Sequence, residues 1–416
     1  MREVYVVGVG MTRFSKYLDR NIKSLAKEAL DKTLADAGIG KEQIEAVYFS
    51  NSHWGYQTGQ HCIRGQVALR PAGIEGIPIY NFENACAGGA TAFHSAWLGV
   101  ASGLYDCALA LGAEKTYDED KSKMFRSFFS GVDIENLESH MKALADMSKH
   151  LKIGIPEDDN RDGAGKNRSA FMDVYSAFTR YHMDKYGTTQ RQLAVIASKN
   201  HLHGAKNPNA QFQNEMSVEE ILAARIVSWP LTVPMCAPVG DGGAGAILCS
   251  ADVLKKLNSP RPVKIRSSVL GSGTNRSIEQ EDQDIACRVS RKAYEMAGVG
   301  PEDIHVAEVH DATSYGELHQ CEALGFCPMG EGGAFAESGA TTLGGKIPIN
   351  VSGGLESRGH PIGASGLGQI HELVTQLRHE AGLRQVENCR IALAENGGGN
   401  LAYEEAAMGI HILERI

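Results

Sequence analysis

The chain has 416 residues, with 41 Lys plus Arg against 50 Asp plus Glu, a formal charge of -9, and 43% hydrophobic and 22% charged residues. This ordinary globular balance excludes wholesale disorder and offers no basic surplus to attract nucleic acid or an anionic membrane. At ~150 residues per domain the length predicts about three domains; the outlier is glycine, 47 residues bunched in short loops.

In chain order, MREVYVVGVGMTRF opens on a strand-like run that is too short and too soon polar for a signal peptide. No stretch reaches the ~18 apolar residues of a membrane span. The nine cysteines (62, 86, 107, 236, 249, 287, 321, 327 and 389) form neither a CxxC pair nor a zinc spacing. Their odd number, with no signal peptide, predicts a reducing, cytoplasmic setting, mostly free buried thiols and no metal centre. A helix-like stretch, LAKEALDKTLAD, then leads through AGIGKEQI (37–44) into the apolar run IEAVYF.

Residues 81–103, NFENACAGGATAFHSAWLGVASG, are small or apolar on every face from Ala87 onward, which predicts a helix buried all round. Cys86 falls where the loop enters that helix. There the free N–H groups and the dipole favour an anion, so the sequence predicts a lowered thiol pKa; a packing cysteine is the alternative. CALALGAE (107–114) reads as a strand. Residues 115–225 change character, with the polar Gly-rich loop GIPEDDNRDGAGKNRS and the amphipathic FMDVYSAFTRYHMDKYG, and read as an insertion. PLTVPMCAPVGDGGAGAILCSADVLKKL returns to strand and helix, and NSPRP (258–262) reads as a linker.

The second part repeats the first. AGVGPEDI at 297–304 matches 37–44 at five of eight positions, again between helix-like and strand-like runs. CRIALAEN at 389–396 follows in the same order as 107–114. Two matches in register predict a duplicated α/β half, divided as 1–114 plus 226–258, an insertion at 115–225, and 259–416. His310 and Asp311 follow the strand 304–309; His310 suits either donation to a substrate oxygen or capping of a turn. IPINVSGGLESRGHPIGASGLGQIHELVTQL (347–377) runs from a β-rich stretch through a Gly/Pro loop holding His360 into a helix with Leu367, Ile370, Leu373, Val374 and Leu377 at helical spacing. A histidine near neutrality at that place suits proton transfer and thiol activation. Near the end, Glu395-Asn396-Gly397-Gly398-Gly399 can bring backbone N–H groups together as an oxyanion hole, or form a plain hairpin turn.

Together NACAGG, PLTVPMCAPVGDGGAG, HDAT, GGLESRGHPIGASG and NGGG resemble the thiolase superfamily, in particular its sterol-carrier-protein-type members, over essentially the whole chain. The resemblance implies two βαβαβαββ halves in a five-layer αβαβα fold with a loop domain that helps to bind coenzyme A. It implies Cys86 as acyl-accepting nucleophile, His360 as its activator, and His310 with His360 holding the thioester oxygen. The N–H groups of Cys86 and Gly397 form a second oxyanion hole. Family members carry Cys-x-Gly-Gly-Gly in the last loop, where the cysteine moves a proton at the substrate α-carbon; Glu395 stands in that slot, and the expectation is that its carboxyl takes over.

The implied activity is a CoA-dependent thiolase acting on a 3-ketoacyl-CoA, degradative, with a bulky or aromatic acyl group such as benzoylsuccinyl-CoA compatible. Coenzyme A is co-substrate and no cofactor is tightly bound. The implied assembly is a homodimer, with a small zinc-ribbon/OB-fold (DUF35-type) protein as a further partner. Phe and Met of 121–147 are candidates for an acyl pocket, and Lys206 or Arg225 for phosphate contacts. Three other readings stay open: a condensing enzyme resembling 3-hydroxy-3-methylglutaryl-CoA synthase, a thiolase-like retro-aldol lyase, and a partner-dependent thiolase-like subunit.

Overall fold

The computed structural model describes residues 1–149, 151–156, 164–258 and 260–416. Part of the polar loop 154–169 and one residue of the 258–262 linker lie outside the described residues.

Among the described residues nine strands form one hydrogen-bonded sheet: β1 Val4–Met11, β2 Ala46–Ser50, β3 Ile79–Phe82, β4 Cys107–Glu114, β5 Gly242–Ser250, β6 Val263–Ser272, β7 Val306–Glu308, β8 Ile391–Gly398 and β9 Ala407–Arg415. Their order is β3-β2-β4-β5-β1-β6-β9-β8-β7. β2 is parallel to β3 and β4, and β7 is parallel to β8; the ladders through β5, β1, β6 and β9 are antiparallel. The order is symmetric about the β1–β6 seam, so β1, β2, β4 and β5 correspond to β6, β7, β8 and β9.

The repeated sequence segments occupy equivalent places. Helix α1, Ile22–Ala37, and helix α3, Ile285–Ala297, end on Gly38 and Gly298, both with φ of +66°, whose N–H groups return to the last helical turn. A left-handed cap of this kind favours glycine. A short 3-10 turn then enters β2 in one half and β7 in the other. IPINV, expected as a β-rich stretch, makes only an isolated parallel bridge, Ala307 to Ile349. Asn350 turns the chain with a φ of +54°, and its Oδ1 accepts the Val309 N–H at 2.8 Å.

Side-chain alternation sorts the core into layers. Tyr5 and Val7 of β1 pack outward with Ala26, Ala29 and Leu30 of α1. Val4 and Val6 pack inward with Phe93 and Trp97 of helix α2, Gly88–Ala101, and with Ile370 and Val374 of helix α4, Ser365–Leu377. The same inner cluster takes Val306, Ala392 and Leu413 from the second half, whose outer face packs on Ile285 and Val289 of α3. Hence α2 and α4 are the shared middle layer, and β1 and β4 are buried along their whole length because both faces are covered. As read from the sequence, α2 is buried nearly all round; Leu98 is the exposed exception.

The described part of 115–225 is largely helical, with FMDVYSAFTRYHMDKY forming Phe171–Tyr186 and a second long helix at Gln190–Ala205. The strand signal after them splits. Ile226–Ser228 and Leu231–Thr232 pair as a separate ribbon, and the main sheet resumes at Gly242.

The glycine surplus has a packing basis at Gly112, where a Cβ would lie 2.0 Å from the Gly363 carbonyl oxygen. Backbone cannot swing aside as a side chain can. Gly112→Ala is therefore expected to destabilise the fold by about 1–3 kcal/mol, the usual cost of overpacking, read as a lower denaturant midpoint. No described helix is long and apolar enough to cross a membrane.

Candidate active site

Past β3 the chain makes a sharp turn before α2. Ala85 has a φ of +46°, a conformation costly for a residue with a Cβ. The turn is held by Ala87 N–H to Asn84 C=O at 2.9 Å and by Ala85 N–H to the Glu83 carboxylate at 2.6 Å. Cys86 is thereby presented, half-buried, just before the first helical turn. Gly398 of β8 backs it: a Cβ there would sit 2.6 Å from the Cys86 nitrogen. Gly397, the predicted oxyanion donor, lies one residue back, its α-carbon turned to Glu405 and Met408.

His360 reaches Cys86 from the second half. Its Nε2 is 3.1 Å from the Cys86 sulfur, and its Nδ1 is 2.7 Å from Ser365 Oγ. Ser365 Oγ in turn donates to the Pro361 carbonyl at 3.0 Å. A hydroxyl has one proton to give, so Oγ accepts from His360, Nδ1 carries the hydrogen, and Nε2 presents its lone pair to the thiol. The sequence reading missed Ser365; the five-residue spacing from His360 into the first turn of α4 was the available signal. Ser365→Ala is expected to slow acylation of Cys86 at least about tenfold by releasing the tautomer, with little change in KM. Rapid-quench measurement of the acyl-enzyme checks this.

His310, at the end of β7, packs edge-on to His360 with ring centroids 5.4 Å apart. Both its ring nitrogens are buried without a partner among the described residues. An orphaned donor in a closed site fits a ligand oxygen better than it fits a turn cap. Asp311 fixes the loop by accepting the Leu355 N–H at 2.7 Å, which ties it to the segment leading to His360. Ligand atoms of Cys86, His310 and His360 lie within 4.8 Å of one another, a spacing that a soft metal ion could also span.

The electrostatics differ from the sequence expectation for Cys86. Burial, reinforced by Glu83 and Glu114, pushes its pKa up to about 12. Burial also holds His360 well below the ordinary histidine value, with His310 and Arg358 adding to the effect, and sets His310 at about 4. The resting pair is a neutral thiol on a neutral imidazole. Removal from water and the nearby carboxylates outweigh the helix terminus here.

Glu395 is fully buried behind His310, accepting that residue's backbone N–H on Oε2 at 2.8 Å, while Oε1 has no partner among the described residues. Burial raises its pKa to about 8. Its side chain is not among those lining the cavity. Glu114, also missed in the sequence, closes the apolar strand β4. It accepts the N–H groups of Ser52, His53 and Gly363 at 2.9, 3.1 and 3.0 Å, pinning loops of both halves together.

Cys86, His310 and His360 open onto a cavity of about 750 Å³. Met124, Phe125, Phe128, Phe171, Met172 and Tyr175 supply apolar wall, so part of the 121–147 segment does line it. Lys16, Lys121 and Arg225 supply cationic groups. Lys206 does not reach the cavity; it follows the helix Gln190–Ala205, where its carbonyl accepts from Arg384.

Residues 4–221 match the family described as "Thiolase, N-terminal domain" and residues 274–414 match "Thiolase C-terminal domain-like". Sterol carrier protein 2 of Bos taurus is 38% identical over 404 residues, covering 95% of this chain and 70% of that one. An acetyl-CoA acetyltransferase of Methanothermobacter thermautotrophicus is 34% identical over 418 residues, covering 100% of both. Benzoylsuccinyl-CoA thiolase subunit BbsB of Thauera aromatica is 34% identical over 404 residues, covering 96% of this chain and 95% of that one. The fold superposes on the Ltp2-ChsH2(DUF35) aldolase with a TM-score of 0.77 at 22% identity, covering 99% of this chain and 98% of that one. The chain belongs to the thiolase family and is an acyltransferase of acyl-CoA metabolism.

Proposed function

We propose that the protein cleaves a 3-ketoacyl-CoA with coenzyme A through an acyl-Cys86 intermediate. The observation that carries this is the Cys86 sulfur 3.1 Å from a His360 Nε2 whose tautomer is fixed from behind. Cys86 attacks the β-keto carbon as its proton passes to Nε2. Because the thiol is not ionised at rest, attack and proton transfer are coupled. The tetrahedral oxyanion is held by the N–H groups of Cys86 and Gly397. The Cα–Cβ bond then breaks, and His310 with protonated His360 holds the enolate oxygen. Glu395, as the neutral acid, supplies the α-carbon proton once its Oε1, which has no partner among the described residues, turns from behind His310 toward the cavity. The CoA thiol attacks the acyl group, its proton restoring Glu395, and Cys86 leaves with the proton of His360. Run in reverse, the same groups form the carbon–carbon bond.

Coenzyme A is co-substrate in this reading, with no tightly bound cofactor, and Arg225 contacts its phosphates. The Phe and Met wall suits a bulky or aromatic acyl group, such as that of benzoylsuccinyl-CoA. The division into 1–114 plus 226–258, 115–225 and 259–416, a homodimer, a DUF35-type partner and a cytoplasmic location belong to the same proposal. The nucleophile–base pair favours acyl transfer over retro-aldol cleavage, which forms no acyl-enzyme.

The test is incubation with candidate 3-ketoacyl-CoAs and free CoA, with product analysis and mass spectrometry of the Cys86 peptide. An acyl adduct on Cys86 is expected, and its absence in a turning-over enzyme would falsify the reading.

A further inference from the structure

Two buried histidines of the cavity, His53 and His201, have no part in these steps. His53 lines the cavity at the start of the helical turn Trp54–Thr58. It stands next to the nucleophile turn: Ser52 Oγ donates to Glu83 Oε1 at 3.1 Å, and the same oxygen receives the Ala85 N–H. Its Nδ1 is 3.1 Å from Ser127 Oγ, which donates to the Met124 carbonyl at 2.7 Å. With the hydroxyl proton committed to that carbonyl, Oγ accepts from Nδ1–H, and Nε2 is left as a bare acceptor. Among the described residues Nε2 has no partner.

The surroundings make that acceptor selective. Phe128 stands edge-on to the ring at 4.9 Å, and Met124 and Phe125 line the same cavity. Burial holds the ring neutral, with a pKa near 4, so it offers a lone pair and no cation. A hydrocarbon seated here drives out water and leaves the lone pair unpaired, and a carboxylate brings no proton to it. A hydroxyl satisfies it. Sites built around such a bond discriminate strongly against analogues lacking the donor.

We propose that His53 determines substrate specificity by accepting, on Nε2, a hydrogen bond from a hydroxyl on the acyl group, so that hydroxylated 3-ketoacyl-CoAs are the preferred substrates. This rests on the acyl-transfer reading above. The hydroxyl stays intact; only the fit of the acyl group to the wall depends on it.

The test compares 3-oxo-3-phenylpropanoyl-CoA with its ortho-, meta- and para-hydroxyphenyl forms, and 3-oxooctanoyl-CoA with its side-chain-hydroxylated isomers. Wild type, His53→Phe and Ser127→Ala are assayed for kcat/KM and for acyl-Cys86 by mass spectrometry. In wild type at least one hydroxylated substrate is expected to exceed its parent by about tenfold or more. The ratio should fall to near one in His53→Phe and partway in Ser127→Ala, which leaves the ring in place but frees its tautomer. A wild-type ratio near one for all pairs overturns the proposal. So does a ratio unchanged in both variants while Cys86 is still acylated. If no substrate acylates Cys86, the acyl-transfer reading itself fails and takes this one with it.

Discussion

Cys86→Ala is expected to lose turnover by at least about four orders of magnitude and to form no covalent acyl adduct, the scale seen when a nucleophile acting as part of a unit is removed. The physical reason is the division of labour around the sulfur. Ser365 fixes the tautomer of His360, His360 takes the thiol proton, and the turn at Ala85 aims the sulfur into the cavity. None of these groups can replace the bond that the sulfur makes. Binding should survive, because the cavity wall comes from other residues. The check is steady-state turnover with mass spectrometry, alongside substrate binding by calorimetry. Turnover within tenfold of wild type would remove covalent catalysis from the mechanism.

Glu395→Gln is expected to lower turnover by about two orders of magnitude, at the scale of a general acid–base group, with Cys86 acylation affected in the same step. Glutamine keeps an oxygen to accept the His310 N–H, so His310 stays placed while the transferable proton disappears. The pH profile separates the two roles. Neutral His360 is the active base; its folded pKa is depressed, so the acidic limb should fall below the ordinary histidine value near 6.5. Glu395 must carry its proton in the cleavage direction. That form is present below its raised pKa of about 8 and is lost as pH rises through it, giving an alkaline limb there. Glu395→Gln should erase the alkaline limb and leave the acidic one. A Gln variant of wild-type turnover would assign the carboxyl only to holding His310.

Much of the architecture was legible because it is written in local patterns. The left-handed caps Gly38 and Gly298 recur inside matching AGxG segments, and the unbroken apolar run of β1 and the small or apolar residues on nearly every face of α2 follow from burial on both sides. Cys86, His310 and His360 could be picked out by their loops and by resemblance. Ser365 was signalled only by its spacing from His360, and His53 not at all, because its role depends on a hydroxyl and a ring meeting in space and Ser127 lies 74 residues away. Glu395 was visible as an odd residue in a glycine loop, yet its place behind His310 depends on β8 lying beside β7.

By itself the sequence determined the duplicated α/β frame and which loops carry chemistry, since periodicity, caps and glycine spacing act over a few residues. The tertiary structure alone decided the protonation state of Cys86. A helix terminus acts locally and favours a thiolate, whereas the burial and the carboxylates that reverse it come from segments brought together by folding. It also decided that Gly398, and not Gly397, presses on the nucleophile turn, because only the packing of β8 against that turn sets which α-carbon meets it.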